Sequence, residues 1–269
     1  MIIGIDVGST TTKAVTIEDG KIKRKIRAKA SDAITAATGA FGKMVLENEI
    51  KMDNITGIKI TGVGASKISN NIFGIPTSHV DEIQAIGTGG MFLSGLDNII
   101  ITNIGTGTAI IEAGTNGIFH FGGSGVGGGT ILGLAKKLLP TAEFSGIMEL
   151  AESGSLNRVD LLLEDIIDTD ISFLAKDSTA ANFGKMLDAA SAGDVALGIL
   201  NMVYQVIGML SVFAARAKNT DKVIVTGNGS NNHIGHKVLS LITDLYGIKF
   251  IYPENAEYAT AVGAGLWGN

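Results

Sequence analysis

The stretch Gly4-Ile5-Asp6-Val7-Gly8-Ser9-Thr10-Thr11-Thr12-Lys13 constrains this chain more than any other. An apolar run from Met1 to Ile5 reads as a buried strand. It ends in an Asp and a Gly, then four hydroxyl residues and a Lys, before Ala14-Val15-Thr16-Ile17 resumes a strand. A tight strand–turn–strand of this composition turns backbone N–H groups, hydroxyls and an ammonium toward one small volume. That set of donors suits a polyphosphate. An Asp at the strand end suits Mg²⁺ held through water, because this ion takes few carboxylates and keeps much of its hydration. Taken alone, the stretch also fits an ordinary hairpin with a polar turn.

The same design returns in the second half. Asn98-Ile99-Ile100-Ile101-Thr102-Asn103 is another buried strand, broken by Ile104-Gly105-Thr106-Gly107-Thr108 and resumed at Ala109-Ile110-Ile111-Glu112. Two related turns, one per half, would clamp a nucleotide's phosphates between them. Residues 121–130, FGGSGVGGGT, read as a glycine-rich loop feeding a helix at 131–137, and helix N-termini bind phosphate through free N–H groups. The loop is not a Walker A motif, since no Gly-Lys-Ser/Thr follows at the required spacing. A third strand–glycine turn–helix, at 222–246 around Thr226-Gly227-Asn228-Gly229-Ser230, is suited to covering an adenosine.

Between these turns the pattern alternates. Strands at 2–7, 13–18 and 21–28 form a meander, apolar spacing predicts a helix over 30–49, and a strand follows at 55–60. A short helix at 65–73, a strand at 77–80 and a helix opening at Asp81-Glu82 complete βββαβαβα, so the fold class is α/β with helices packed on sheets. Residues 143–190 read as helix with loops, and 257–266 as a tail helix of Ala and Gly. Asp81 and Glu82 taken by themselves are acidic residues placed at a helix start, where the dipole favours them.

Composition narrows the function. Hydrophobic residues make up 45% and charged residues 17%, which describes a globular chain. A net charge of −5 argues against nucleic acid as the main partner. The chain has no cysteine, which excludes disulfides and thiolate-bound metal or iron–sulfur centres and favours the cytoplasm. No secretory signal is read at the N-terminus. Residues 195–215 are apolar over the length of a membrane span, but Asn201 and Gln205 lie inside them, so a buried core or subunit-contact helix is expected and no membrane. Among the histidines, His79 and His233 are placed at element starts and His236 at the surface.

Three turns in this order, at 6–13, 103–108 and 225–230, resemble the actin, hexokinase and heat-shock chaperone superfamily of ATP-using proteins. The fuller series is more specific: D-x-G-S-T-x-x-K, Asp81-Glu82 before a helix, N-I-G-T-G-T, G-V-G-G-G-T-I-L-G-L and T-A-A-N-F-G at 179–184. It resembles the type II pantothenate kinase family over essentially the whole chain. The resemblance implies two related lobes of the actin-like (ribonuclease H-like) ATPase fold, at 1–97 and 98–269, with the nucleotide between them. It implies ATP and Mg²⁺ as cofactors, and pantothenate or an analogue as the small-molecule substrate phosphorylated at a primary alcohol.

By the same resemblance Glu82, in E-x-x-A-x-x-x-G with Ala85 and Gly89, is the general base. Asp6, Gly8, Ser9, Thr10, Thr11 and Lys13 hold the phosphates, with Asp6 on Mg²⁺ through water. Thr106, Gly128, Gly129, Thr130, Ile131, Leu132, Phe144 and Asn228 contact the nucleotide, while Thr106, Ala109 and His120 face the acceptor. A homodimer and a CoA or acyl-CoA effector belong to the same implication.

Two positions depart from the family. His120 stands where the family has an Arg that grips the pantothenate carboxylate, and Ala109 stands where it usually has a Ser. An imidazole is a poorer carboxylate clamp than a bidentate guanidinium. These departures leave open a kinase for another small alcohol, or a non-catalytic CoA- or ATP-binding homologue. An ATPase like the activators of 2-hydroxyacyl-CoA dehydratases shares the opening stretch, but those proteins need cysteine ligands that this chain lacks.

Overall fold

Each half of the chain opens with the same three-stranded meander. In the computed structural model, which describes residues 1–29, 32–167 and 175–268, β1 (Ile2–Val7), β2 (Thr11–Glu18) and β3 (Lys21–Lys29) pair antiparallel in sequence. Helix α1 (Ala33–Glu47) follows, then β4 (Gly57–Thr61), the short β5 (Asn71–Ile72), β6 (Ile75–His79) and α2 (Glu82–Ser94). The second half repeats the meander as β7 (Ile99–Ile104), β8 (Thr108–Gly114) and β9 (Gly117–Ser124). It continues through α3 (Gly128–Leu138), α4 (Phe144–Glu152), the ribbon of β10 (Leu161–Leu162) and β11 (Thr179–Ala181), and the long α5 (Ala192–Ala217). The chain closes with β12 (Lys222–Thr226), α6 (His233–Tyr246), β13 (Lys249–Ile251) and α7 (Ala259–Leu266).

The two sheets have matching orders, β3-β2-β1-β4-β6-β5 and β13-β12-β7-β8-β9, with β4 and β12 parallel to their central strands. The repeat read from the two turns is therefore a repeat of whole lobes. Apolar side chains on β1 and β4 (Ile3, Ile5, Ile58, Ile60) meet Phe41 and Met44 of α1 on one face. On the second sheet Ile100, Ile110, Val223 and Val225 pack against α5 through Ile199, Val203 and Ile207.

The last helix of each half crosses over. Helix α2 covers the second sheet, with Ile86 against Ile99, Ile101 and Ile111. Helix α7 covers the first, with Ala261 and Val262 against Val15 and Ile17. Where these two helices cross, a Cβ on Gly89 would stand 1.9 Å from the Ala259 carbonyl oxygen, and one on Gly263 1.8 Å from that of Ala85. Only glycine lets the backbones approach so closely. The Ala/Gly tail is thus an interlobe contact.

Several expected elements differ. Residues 65–73 form one 3₁₀ turn (Ala65–Lys67) and β5, because the Gly74 N–H bonds Asn71 Oδ1 and Phe73 and Gly74 both take positive φ. The expected glycine loop at 121–130 is strand as far as Ser124, since Gly123 pairs with Ala109 and Ser124 with Thr108. The region 143–190 holds the β10–β11 ribbon besides helix, with residues 168–174 outside the described residues. The helix expected from residue 30 starts at Ala33, capped by Asp32 Oδ1 accepting from Thr35 N at 2.9 Å; residues 30 and 31 lie outside the described residues.

Helix α5 is one helix long and apolar enough to cross a membrane. Its Ile199, Leu200, Val203, Tyr204 and Ile207 are nevertheless buried in the core of the second lobe. Asn201 and Gln205 serve a buried carboxylate. Asp160 accepts hydrogen bonds from Asn201 Nδ2 (2.8 Å), Thr179 Oγ1 (3.0 Å), Phe183 N (2.8 Å) and Asn182 Nδ2 (3.4 Å), while Gln205 meets Asn182. That ties the T-A-A-N-F-G segment to α5. A buried carboxyl group is tolerated only when its oxygens find donors in this way.

Candidate functional site

The ends of β1 and β7 face each other where the lobes meet. The two predicted turns touch there, with Ser9 Oγ and Thr106 Oγ1 2.6 Å apart. Asn228 Nδ2, from the third turn, donates to Thr11 Oγ1 at 3.1 Å. All three glycine turns therefore converge, as two related lobes with a shared ligand require.

Around this junction lie two adjoining cavities. The front one, about 440 Å³, is lined by Asp6, Gly8, Ser9, Thr10, Thr11, Lys13, Glu82, Thr106, Ala109 and Asn228 among the residues read from the sequence. The rear one, about 580 Å³, shares Thr10, Thr11, Thr106 and Asn228 and adds Gly128, Gly129, Ile131, Leu132 and Phe144. Two of the expected site residues line neither. Thr130 turns inward, its Oγ1 accepting from Gly127 N and donating to Gly125 O, both at 3.1 Å, so it shapes the entry of α3. His120 lies exposed on β9, paired with Ile111, on the sheet face that also carries Ala109 and Gly123.

Burial perturbs each charged group of the front cavity. Burial pushes the Asp6 carboxyl up from 3.8 to about 6; Lys13 opposes this and Glu82 adds to it. Gly62, at φ +91°, permits that crowding, since a Cβ there would stand 2.6 Å from Asp6 Oδ1. Lys13 is buried and its Nζ donates to the Glu257 carbonyl at 2.6 Å. Burial lowers the Lys13 pKa, Asp6 works against this, and Arg27 adds to it. Glu82 is the first residue of α2. Asp81 caps that helix, accepting from Ile83 N at 3.0 Å and Gln84 N at 3.1 Å, as expected of the helix-start residue. Burial, with Asp81 next to it, raises the Glu82 carboxyl above its ordinary range.

The sequence reading missed several residues that line the cavities: Val63, Ser124 and Thr260 in front, Arg27, Glu143, Tyr204 and Asn232 behind. Tyr204 was hidden within an apolar helix; its OH donates to the Gly229 carbonyl at 2.8 Å, fastening the third turn to α5. Two histidines also differ from expectation. His79 ends β6, and His236 is half-buried, with Nε2 2.6 Å from the Ser230 carbonyl and its ring 3.9 Å from that of Tyr252. His233 does begin α6.

The model of the Fumble family matches residues 98–266, which carry the second and third turns, most of the rear cavity wall and α5. The chain belongs to this family. Type II pantothenate kinases from Bacillus anthracis (29% identical over 282 residues, 98% of this chain and 96% of theirs) and Staphylococcus aureus strain USA300 (29% over 274 residues, 98% of each) are similar along nearly their whole length. The resemblance read from the motifs is borne out at the level of the family. Among solved structures, the activator of 2-hydroxyisocaproyl-CoA dehydratase from Clostridium difficile with bound ADPNP has a TM-score of 0.69 at 17% identity, over 99% of this chain and 93% of that one. A ROK family glucokinase from Streptomyces griseus in complex with glucose and AMPPNP has 0.61 at 15%, over 98% and 97%. These likenesses establish the two-lobed actin-like fold of the Fumble chain.

Proposed function

We propose that this member of the Fumble family is an ATP-dependent kinase that phosphorylates pantothenate at its primary alcohol, opening coenzyme A synthesis. The observation that carries the reading is the front cavity, where a carboxylate at a helix start faces two touching glycine–hydroxyl turns beside Asp6 and Lys13. The type II pantothenate kinases similar along the whole chain supply the acceptor. The base would lie in the rear cavity against Leu132 and Phe144, with the phosphates running forward past Thr10, Thr11 and Thr106 toward Asp6.

In this reading Glu82 accepts the proton of the acceptor hydroxyl as its oxygen bonds to the γ-phosphorus and the bridging bond to ADP breaks. A raised carboxyl pKa makes Glu82 a stronger base once ionised. The turns supply N–H and hydroxyl donors to the transferred group, and Lys13 supplies a fixed positive charge. Asp6 suits Mg²⁺: its crowded carboxylate lacks enough positive charge, and the buried Oδ1 of Asn228, which lines the same cavity, has no hydrogen-bond partner. Bound there, Mg²⁺ would neutralise charge on the phosphates.

A second reading, a kinase for another small alcohol, is favoured by Ala109 on the front cavity wall and by His120 standing outside it. The activator reading is not carried over, because the chain has no cysteine. Exposed Val206 and Phe213 on α5, with Phe121 on β9, support a homodimer through the second lobe, testable by light scattering. A cytoplasmic location and a CoA-type effector belong to the same family reading. The test of function is ADP release from Mg-ATP with and without pantothenate. Stimulation by pantothenate supports this reading; stimulation only by other alcohols supports the second.

A further inference from the structure

Strand β3 carries Lys21, Lys23, Arg24, Lys25, Arg27 and Lys29 within nine residues, in a chain of net charge −5. It is the edge strand of its sheet, and lysines on such an edge deter pairing with other chains. That accounts for its outer end. At the inner end, the register sets Arg27 opposite Lys13 and Lys29 opposite Thr11, so these cations flank the first phosphate turn. Lys13 is anchored to the Glu257 carbonyl, but Arg27 forms no ion pair with any carboxylate among the described residues. Its side chain instead lines the rear cavity with Thr10, Thr11, Gly128 and Phe144. A cation left uncompensated at a cavity wall makes a place for an anion in that cavity.

We propose that Arg27 is a specificity residue of the cleft, a guanidinium that grips the nucleotide's α- and β-phosphates. The proposal rests on the ATP reading and extends it to a residue of this chain outside the turns. Arg27 lines the rear cavity and not the front one, where Asp6 and Glu82 stand, while Thr10 and Thr11 line both and mark the border. A side chain reaching in from behind that border meets the phosphates nearer the nucleoside, not the transferred one. The planar fork of arginine suits two phosphate oxygens at once, which lysine cannot match.

The test compares binding of ATP, ADP and adenosine to the wild type, Arg27→Gln and Arg27→Lys, together with ATP kinetics. Arg27 is exposed, so both variants should fold, and circular dichroism checks this. Loss of a charge-assisted contact should weaken ATP and ADP in Arg27→Gln by about ten- to a hundredfold and leave adenosine within about twofold. KM for ATP should rise with kcat within about threefold, and Arg27→Lys should recover only part of the affinity. Equal weakening of ATP and adenosine would mark a structural role and overturn the proposal, as would a kcat collapse at unchanged ATP affinity. A wild type that binds ATP beside an Arg27→Gln that binds it equally overturns this proposal alone. A wild type that binds none of the three ligands overturns the nucleotide reading as well.

Discussion

Replacing Asp6 by Asn should make the ligand-free protein more stable at neutral and alkaline pH. Burial raises the Asp6 carboxyl from 3.8 to about 6 in the folded chain. Between those two pH values the folded state keeps a proton that the unfolded state has released. Stability therefore falls as pH rises through this window and stays reduced above it. At about 1.4 kcal/mol per pKa unit, the ionised carboxylate costs the folded state about 3 kcal/mol. Asparagine removes that cost, in which the opposing pull of Lys13 is already counted, but places an amide in the same buried site, which returns part of it. The expected net gain is about 1–2 kcal/mol at pH 8, or roughly 2–6 °C in Tm for a chain of this size. Well below pH 3.8 the carboxyl is protonated in both states, so the difference between variant and wild type should shrink toward the acid end. Differential scanning calorimetry from pH 4 to 8 without ligand makes the comparison. An Asp6→Asn protein less stable than wild type at pH 8, or a difference that does not grow between pH 4 and 7, would refute the reasoning. With Mg-ATP the order should reverse, because ligand that binds the folded wild type stabilises it by mass action.

Gly89→Ala puts a methyl 1.9 Å from the Ala259 carbonyl oxygen and should cost about 3 kcal/mol or more in urea unfolding. It should also depress turnover, since Glu82 sits at the start of the same helix. Asp160→Ala leaves the donors of Thr179, Phe183 and Asn201 unpaired and should cost about 3 kcal/mol, read by the same method. Its effect should fall on stability with the KM for ATP little changed, because Asp160 lines neither cavity.

The glycine–hydroxyl turns were legible because their composition is local. Glycines and hydroxyls at a strand end mean the same thing wherever the strand is packed, and β1 and α6 run where their patterns place them. The repeated meander was legible for the same reason. The strand character of Gly122 and Gly123 was not, because it comes from pairing with Ile110 and Ala109 on β8, which overrides a composition typical of loops. The exchange of α2 and α7 between lobes depends on long-range contacts that no periodicity encodes. Asp160 drew no reading from the sequence, because only the fold brings it its donors. Arg27 was hidden in a run of cations of which it alone lines the rear cavity. Its one signal is the strand register opposite Lys13, available only once the meander is drawn.

The central claim is that Glu82 is the base of a phosphoryl transfer in a cleft that Asp6, Lys13 and the two turns build around ATP. Pantothenate-dependent ADP release by Glu82→Gln, with ATP affinity measured on the same preparation, tests it most directly. The account predicts turnover lower by about a hundredfold or more with ATP bound as tightly as by wild type. A Glu82→Gln protein that turned over pantothenate at the wild-type rate would contradict it.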